Sequence, residues 1–325
     1  MGADSMPTRG GADFVLEEGT PERPVVATIG VFDGVHRGHQ ALLANVVESA
    51  GAARSSVVIG FEPHPVEVLA PEVPPHRISA PSVHRRKLAA TGCDHVWYLP
   101  FSRALAELAP AGFVDLLLRR FDLRALWIGY DFRFGKNRAG DADFLREAGE
   151  RAGFTVHTFG PIESGGRPFS STWIREALRA GDMDLVWEIS GAPFEFEGEV
   201  VHGLGIGSRE LVATANVRPH PRQLLPALGI YAGWALGARL DSPVPAAISV
   251  GLRPTIGEEL QVAVEAHLLD WSGDLYGEPL RLLFARRLRE ERRFAGMDEL
   301  REAIDRDIAR TREVIAEIAP QWAPR

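Results

Sequence analysis

The sequence predicts two modules. The first is an α/β domain with an open, Rossmann-like parallel sheet over residues 25–191. The second is an antiparallel β-barrel or sandwich with a C-terminal helix over residues 192–325, and residues 1–24 form a flexible N-terminus. Three observations lead there. At 325 residues the chain exceeds the roughly 250–300 residues over which one hydrophobic core keeps growing. Its first half alternates apolar runs with amphipathic stretches. Its second half sets β-rich runs one after another, with Gly, Pro and Asp turns between them.

In chain order, the apolar runs of the first half are VVATIG, SSVVIGF, HVWYLPF, ALWIGYDF and FTVHTFG. Between them lie HQALLANVVESA, SVHRRKLAATG, FVDLLLRRF and FLREAGERAG, with apolar residues at helical spacing. Strand alternating with helix is the pattern of a parallel sheet covered on both faces. After SGAPFEFEG the grammar changes: EGEVVHG, GIYAGWALGARL, AAISVGL, VAVEAHLLDW and PLRLLFARRL read as consecutive strands. The closing MDELREAIDRDIARTREVIAEIA reads as one long helix.

A hydrophobic share of 45% and a charged share of 25% are those of an ordinary globular chain, which excludes disordered and fibrous classes. A formal net charge of -8 argues against a broad basic surface for nucleic acid. The single cysteine, Cys93, reads as a small core residue and points to a cytoplasmic protein. The start of the chain lacks a signal-peptide pattern, and no run reaches the roughly 18 apolar residues of a membrane span. Neither nucleic acid nor a membrane is expected as a partner, and the oligomeric state is left unassigned.

The chemistry concentrates in VFDGVHRGHQ, which the first strand delivers to the carboxyl edge of the sheet, where ligands of such folds bind. Gly30, Gly34 and Gly38 let the backbone approach a ligand. The helix expected from about His39 offers unpaired amides and a positive dipole end to phosphate. His36 and His39 then stand beside the phosphates, where an attack on the α-phosphate of a nucleoside triphosphate needs donors. Two bland readings compete: the pair caps and fills the helix start, or it binds a metal.

In FEPHP, Pro63 and Pro65 are expected to hold the backbone extended, so that His64 faces the same edge; a buried structural histidine is the alternative. Ser171 and Thr172 offer hydroxyls before a helix, and Arg175 can fork onto phosphate oxygens, although SST alone reads as an N-cap. Arg77, His84, Arg85, Arg86 and Lys87 form a basic run that suits either a polyphosphate or a solvated helix face.

GVFDGVHRGHQALL, with Phe32 and Asp33, resembles the signature of the nucleotidyltransferase superfamily in the form carried by the bacterial bifunctional riboflavin kinase/FAD synthetase family. FEPHP (61–65), GYDFRFGKNRAGD (129–141) and SSTWIREAL (170–178) follow in that family's order. The resemblance implies transfer of AMP from ATP to FMN, giving FAD and pyrophosphate. It implies that His36 and His39 bind and polarise the ATP phosphates, and that Asn137 holds the flavin and nucleotide end. Ser171, Thr172 and Arg175 would close over the triphosphate. Gly30, Phe32, Asp33, Gly34, Gly38 and His64 are expected to line the ATP and flavin site.

SVGLRPTIG, VEAHLLDWSGDLYG and RLREERRF continue the resemblance through the second half, where the family carries a riboflavin kinase. By that resemblance Glu265 activates the ribityl 5′-hydroxyl, and Thr214 and Asn216 stand around the nucleotide and Mg2+. The substrates it implies are small molecules: riboflavin, FMN and ATP.

The front of this half departs from the family. HGLGIGSRELVATANV (202–217) has Ala213 where the family has proline, and SGAPF replaces the family's Leu-Gly-Arg-Pro junction. Three outcomes stay open for this module: a working kinase, a weakened or retargeted one, and a barrel kept for its structure. Two rival functions also remain. One is a nucleotidyltransferase acting on a flavin analogue or another substrate; the other is a non-catalytic flavin- or nucleotide-binding regulator.

Overall fold

The computed structural model describes residues 21, 23–74, 76–202, 214–254, 260–320 and 322. The flexible N-terminus expected over 1–24 lies almost wholly outside the described residues, as do 203–213, with Ala213, and 255–259. The chain forms two compact units: residues 21–74 with 85–169, and residues 76–84 with 170–322.

In the first unit β1 (Val25–Ile29) runs into α1 (Arg37–Ala50), and β2 (Ser55–Glu62) into the short α2 (Pro65–Leu69). Helix α3 (Pro81–Ala89) begins in the second unit's segment and leads to β3 (His95–Pro100). Then come α4 (Arg103–Ala106), α5 (Pro110–Arg120), β4 (Leu123–Gly129), α6 (Ala142–Ala152) and β5 (Thr155–Phe159). A hairpin of β6 (Glu163–Ser164) and β7 (Arg167–Pro168) ends the unit. The five large strands form one parallel sheet in the order β3-β2-β1-β4-β5. Strand order therefore reverses between β1 and β4, and that switch point is where an open α/β sheet has room for a ligand.

All five residues of β1 are buried, because helices cover both faces of the sheet. Val25, Ala27 and Ile29 pack with Phe113, Val114 and Leu117 of α5 on one face. On the other, Val26 packs with Val46 and Ala50 of α1. Each valine, leucine or isoleucine side chain so buried contributes about 1.5–3 kcal/mol relative to exposure. Cys93 is a core residue as expected, packed with Leu88 and Tyr98.

Two local expectations are corrected. Helix α1 begins at Arg37 rather than near His39, with His36 as its N-cap. Pro65 does not extend the chain: its fixed φ suits the first turn of a helix, and it opens α2 with His64 as the cap.

The second unit opens with α7 (Ser171–Ala180) and α8 (Met183–Ser190). Strands β8 (Phe194–Val201), β9 (Ala215–Arg218), β10 (Gly229–Leu236), β11 (Val244–Pro254), β12 (Leu260–Leu268) and β13 (Pro279–Arg289) follow, and α9 (Met297–Ile318) ends the unit. The strands close into an antiparallel barrel in the order β10-β11-β12-β9-β8-β13. Alternation splits each strand. Phe196, Tyr231, Ile248, Val264 and Phe284 fill the interior, whereas Ala232, Trp234, Leu283 and Ala285 lie on the outer face under Val314, Ile315 and Ile318 of α9. At Gly233 a Cβ would stand 1.9 Å from the Leu283 carbonyl oxygen, so β10 and β13 approach as closely as they do only over glycine.

Candidate active sites

At the switch point, Gly30 ends β1, and the ring of Phe32 packs where a Cβ on Gly30 would sit, 3.0 Å away. Phe32, Gly34 and Val35 all have positive φ (51°, 82° and 46°). A β-branched residue in that region is strained, so the turn is held by its surroundings rather than by preference. The strain brings His36 to the start of α1. Its Nδ1 accepts the backbone N–H of His39 at 3.3 Å, and its ring stacks on that of His39 with centroids 3.6 Å apart. Phe32 meets His39 edge-on at 5.1 Å. Gly38 has no side chain for a reason: a Cβ there would lie 3.1 Å from His36 Nδ1.

Burial pulls the pKa of His36 down to about 4, and the nearby Asp33 only partly opposes it. The ring is neutral at pH 7. Because Nδ1 accepts, its proton sits on Nε2, which makes His36 a donor there. His36 does cap α1, yet capping occupies one ring nitrogen and leaves the other as a donor. Among the described residues no group of three or more His, Cys, Asp and Glu stands together as a metal-ligand set.

His64 caps α2 by accepting from the Val66 amide at 3.2 Å, and its Nε2 lies 3.9 Å from the buried Asp33 carboxylate. It thus joins the first motif despite the corrected backbone. Asn137 follows β4, the strand beside β1, in a 3-10 turn over Lys136–Arg138. It takes φ 56°, a conformation asparagine tolerates better than most residues, and two backbone bonds between Phe134 and Gly140 close the loop around it.

In the second unit the N-cap of α7 is Ser170, which accepts from the Trp173 amide at 3.2 Å, so Ser171 and Thr172 form the first turn itself. Arg175 is buried, and its Nε donates to the His76 carbonyl at 2.9 Å. Of the basic run, Arg77 and His84 are buried, and Arg85 lies over the Tyr98 ring at 5.2 Å.

A cavity of about 240 Å³ lies between the outer face of the barrel and α9. Thr214, Ser249, Glu265 and His267 form a polar wall, and Leu300, Ile304 and Ile308 of α9 form an apolar one. Glu265 pairs in register with Ser249 on one side and Asn216 on the other. The alternation that buries Val264 and Ala266 inside the barrel is what turns Glu265 outward. Of the residues the sequence singles out, Thr214 and Glu265 line this cavity and Asn216 pairs in register with Glu265; Ser249, His267, Arg289, Phe294 and Asp307 also line it and are not singled out by the sequence. The Glu-x-His spacing on a strand was the one local signal for His267. The others gather from β11, the end of β13, the turn after it and α9, which no spacing relates.

Comparison with known proteins matches two successive segments of the chain. Residues 19–173 match the family described as FAD synthetase, and residues 190–315 match that described as riboflavin kinase. The chain is 40% identical over 301 residues to a bifunctional riboflavin kinase/FMN adenylyltransferase of Pseudomonas fluorescens, covering 90% of this chain and 94% of that one. It is 39% identical to one of Escherichia coli K12, covering 90% and 93%. A solved chain described as a macrolide-efflux protein from Streptococcus pneumoniae superposes with a TM-score of 0.79 at 28% identity, over 94% of this chain and 97% of that one. That likeness is one of fold; among the described residues no helix is long and apolar enough to cross a membrane. With two family matches in the order the motifs predicted and this identity along nine-tenths of its length, the chain belongs to the bifunctional riboflavin kinase/FMN adenylyltransferase family.

Proposed function

We propose that the chain makes FAD from riboflavin in two ATP-consuming steps, riboflavin to FMN in the barrel module and FMN to FAD in the α/β module. The observation that carries this reading is the presence in one chain of a His-x-Gly-His turn at the sheet's switch point and an outer-face cavity bearing Thr214 and Glu265.

In the adenylyl step a phosphate oxygen of FMN attacks the α-phosphorus of ATP, the bond to the bridging oxygen breaks, and pyrophosphate leaves. His36 donates from Nε2 to a phosphate oxygen, and His39, stacked on it, contributes from the same turn. The N-terminal amides of α1 add their dipole. Gly30, Phe32, Asp33, Gly34, Gly38 and His64 shape the nucleotide site, and Asn137 holds the flavin end. Ser171, Thr172 and Arg175 serve the triphosphate, as the resemblance implies.

In the kinase step Glu265 takes the proton of the ribityl 5′-hydroxyl as its oxygen bonds the γ-phosphorus and ADP leaves. Thr214 and Asn216, two residues apart at the start of β9 and beside Glu265, offer a hydroxyl and an amide oxygen, hard donors of the kind magnesium accepts alongside phosphate and water. Bound there, magnesium would neutralise phosphate charge. The cytoplasm, where riboflavin, ATP and free thiols coexist, is the proposed compartment.

Ala213, where the family has proline, motivates one second reading: an adenylyltransferase whose barrel no longer phosphorylates riboflavin. Purified protein with magnesium and ATP, given riboflavin in one tube and FMN in another and followed by chromatography, separates the two. FAD from both tubes is the expected result. FAD from FMN alone leaves the second reading, and FAD from neither overturns both.

A further inference from the structure

The cavity under α9 has an unusual floor. Arg289, the last residue of β13, donates from Nε to both carboxylate oxygens of Asp307 (2.9 and 3.2 Å) and from a terminal nitrogen to Oδ2 at 2.7 Å. Its other terminal nitrogen donates to the Glu290 carbonyl at 3.0 Å. All three nitrogens are engaged, so the guanidinium has one orientation. The Asp307 side chain is only 11% exposed, and that of Arg289 25%.

The same guanidinium stands over the ring of Phe294 at 5.6 Å, and that of Arg292 at 4.8 Å. Phe294 belongs to the irregular turn between β13 and α9, where no ladder or helix bonds hold it. Its ring lines the cavity beside Leu300 and Ile304. Asp307 and Arg289 line the cavity floor, and one chain of contacts links Asp307 to the apolar wall: carboxylate to guanidinium, guanidinium to the Phe294 ring.

We propose that Asp307 is a positioning residue for the kinase module: by clamping Arg289 it fixes Phe294 in the apolar wall of the cavity, and so sets the affinity for the flat flavin ring rather than the rate of phosphoryl transfer. The inference rests on the assignment of this cavity to riboflavin. A planar ring needs an aromatic or aliphatic wall, which Phe294, Leu300, Ile304 and Ile308 supply. Transfer at the ribityl end depends on Glu265 across the cavity. The two functions therefore sit on opposite walls and separate in KM and kcat.

The test uses the full-length protein. Asp307→Asn should raise KM for riboflavin about tenfold with kcat changed less than about twofold, and weaken riboflavin binding, read by fluorescence quenching, in the same proportion. Conversion of FMN to FAD should be unchanged. Asp307→Glu should recover part of the affinity. Phe294→Leu should give a similar KM by itself, and adding Asp307→Asn to it should change nothing more, since the two act through one contact.

An unchanged KM in either single variant, or additive effects in the double variant, overturns the inference. Should Asp307→Asn not fold, Phe294→Leu still decides, because that ring lies in a turn outside the barrel ladder. A parent protein that neither binds nor phosphorylates riboflavin overturns the cavity's assignment, and this inference with it. A parent that does both while the variants keep its KM overturns this inference alone.

Discussion

The imidazole of His36 lies stacked on that of His39, centroids 3.6 Å apart, while its Nδ1 accepts the backbone N–H of His39. One residue thus ends a helix and presents Nε2 as a donor, and the expectations for the α/β module follow from that division of labour.

Replacing either ring removes a donor at the proposed phosphate site. His36→Ala and His39→Ala should each lower FMN-to-FAD conversion by about 10²-fold or more, the scale seen when a transition-state hydrogen-bond donor is lost. Riboflavin phosphorylation should persist. Steady-state assay of both reactions checks this, and equal loss of both would refute independent sites.

The pKa of His36 is lowered from 6.5 to about 4, which couples stability to pH. Between those values the unfolded chain binds a proton that the folded chain does not, so stability must fall as pH drops from 6.5 toward 4. The contribution reaches ~3 kcal/mol at the lower end. Denaturant unfolding at pH 6.5 and 4.5 should show a smaller pH effect in His36→Asn than in the parent. The difference between proteins isolates this residue from the carboxylates; identical effects would show that His36 is not held neutral by burial.

A Cβ added at Gly38 would press on His36 Nδ1 at 3.1 Å. Gly38→Ala should tilt the ring and lower adenylyl transfer by about tenfold. Helix propensity there favours alanine by up to ~1 kcal/mol, so a loss of activity without a loss of thermal stability is the expected signature. Activity equal to the parent's would mean that the ring's placement is not critical.

Glu265→Gln keeps the shape of the outer-face wall and removes the base. Riboflavin phosphorylation should drop by about 10²–10⁴-fold while FMN-to-FAD conversion is unchanged. A kinase rate near the parent's would assign the proton transfer elsewhere in the cavity, with His267 the next residue to test.

Much of this was legible because it is local. The run VVATI reads as a doubly covered strand since each of its residues is apolar or small, and it is buried throughout. EGEVVHG and its successors read as consecutive strands because β-rich runs follow one another with Gly, Pro and Asp turns between them. The closing helix is visible in its spacing. The errors were local too. The sequence puts the start of α1 near His39, whereas His36, an uncommon cap residue, opens it; and it reads Pro65 as extending the chain, although proline equally opens a helix. Strand β9 is not among the runs the sequence shows, because four residues carry no periodicity of their own; pairing with β8 and β12 makes it a strand.

By itself, the sequence determined the two architectures and their order, which depend on residues near one another in the chain, and pointed to His36 and His39; Asn137, Thr214 and Glu265 are expectations that the family resemblance alone carries. Only the tertiary structure decided that Asp33 and His64, 31 positions apart in number, stand 3.9 Å apart, and that Glu265 faces outward to α9 rather than into the barrel. It alone joined Arg289 to Asp307 beneath Phe294. The physical reason is that pattern records the period of one element, whereas a site is made where elements cross, and which of them cross is set by the packing of whole faces.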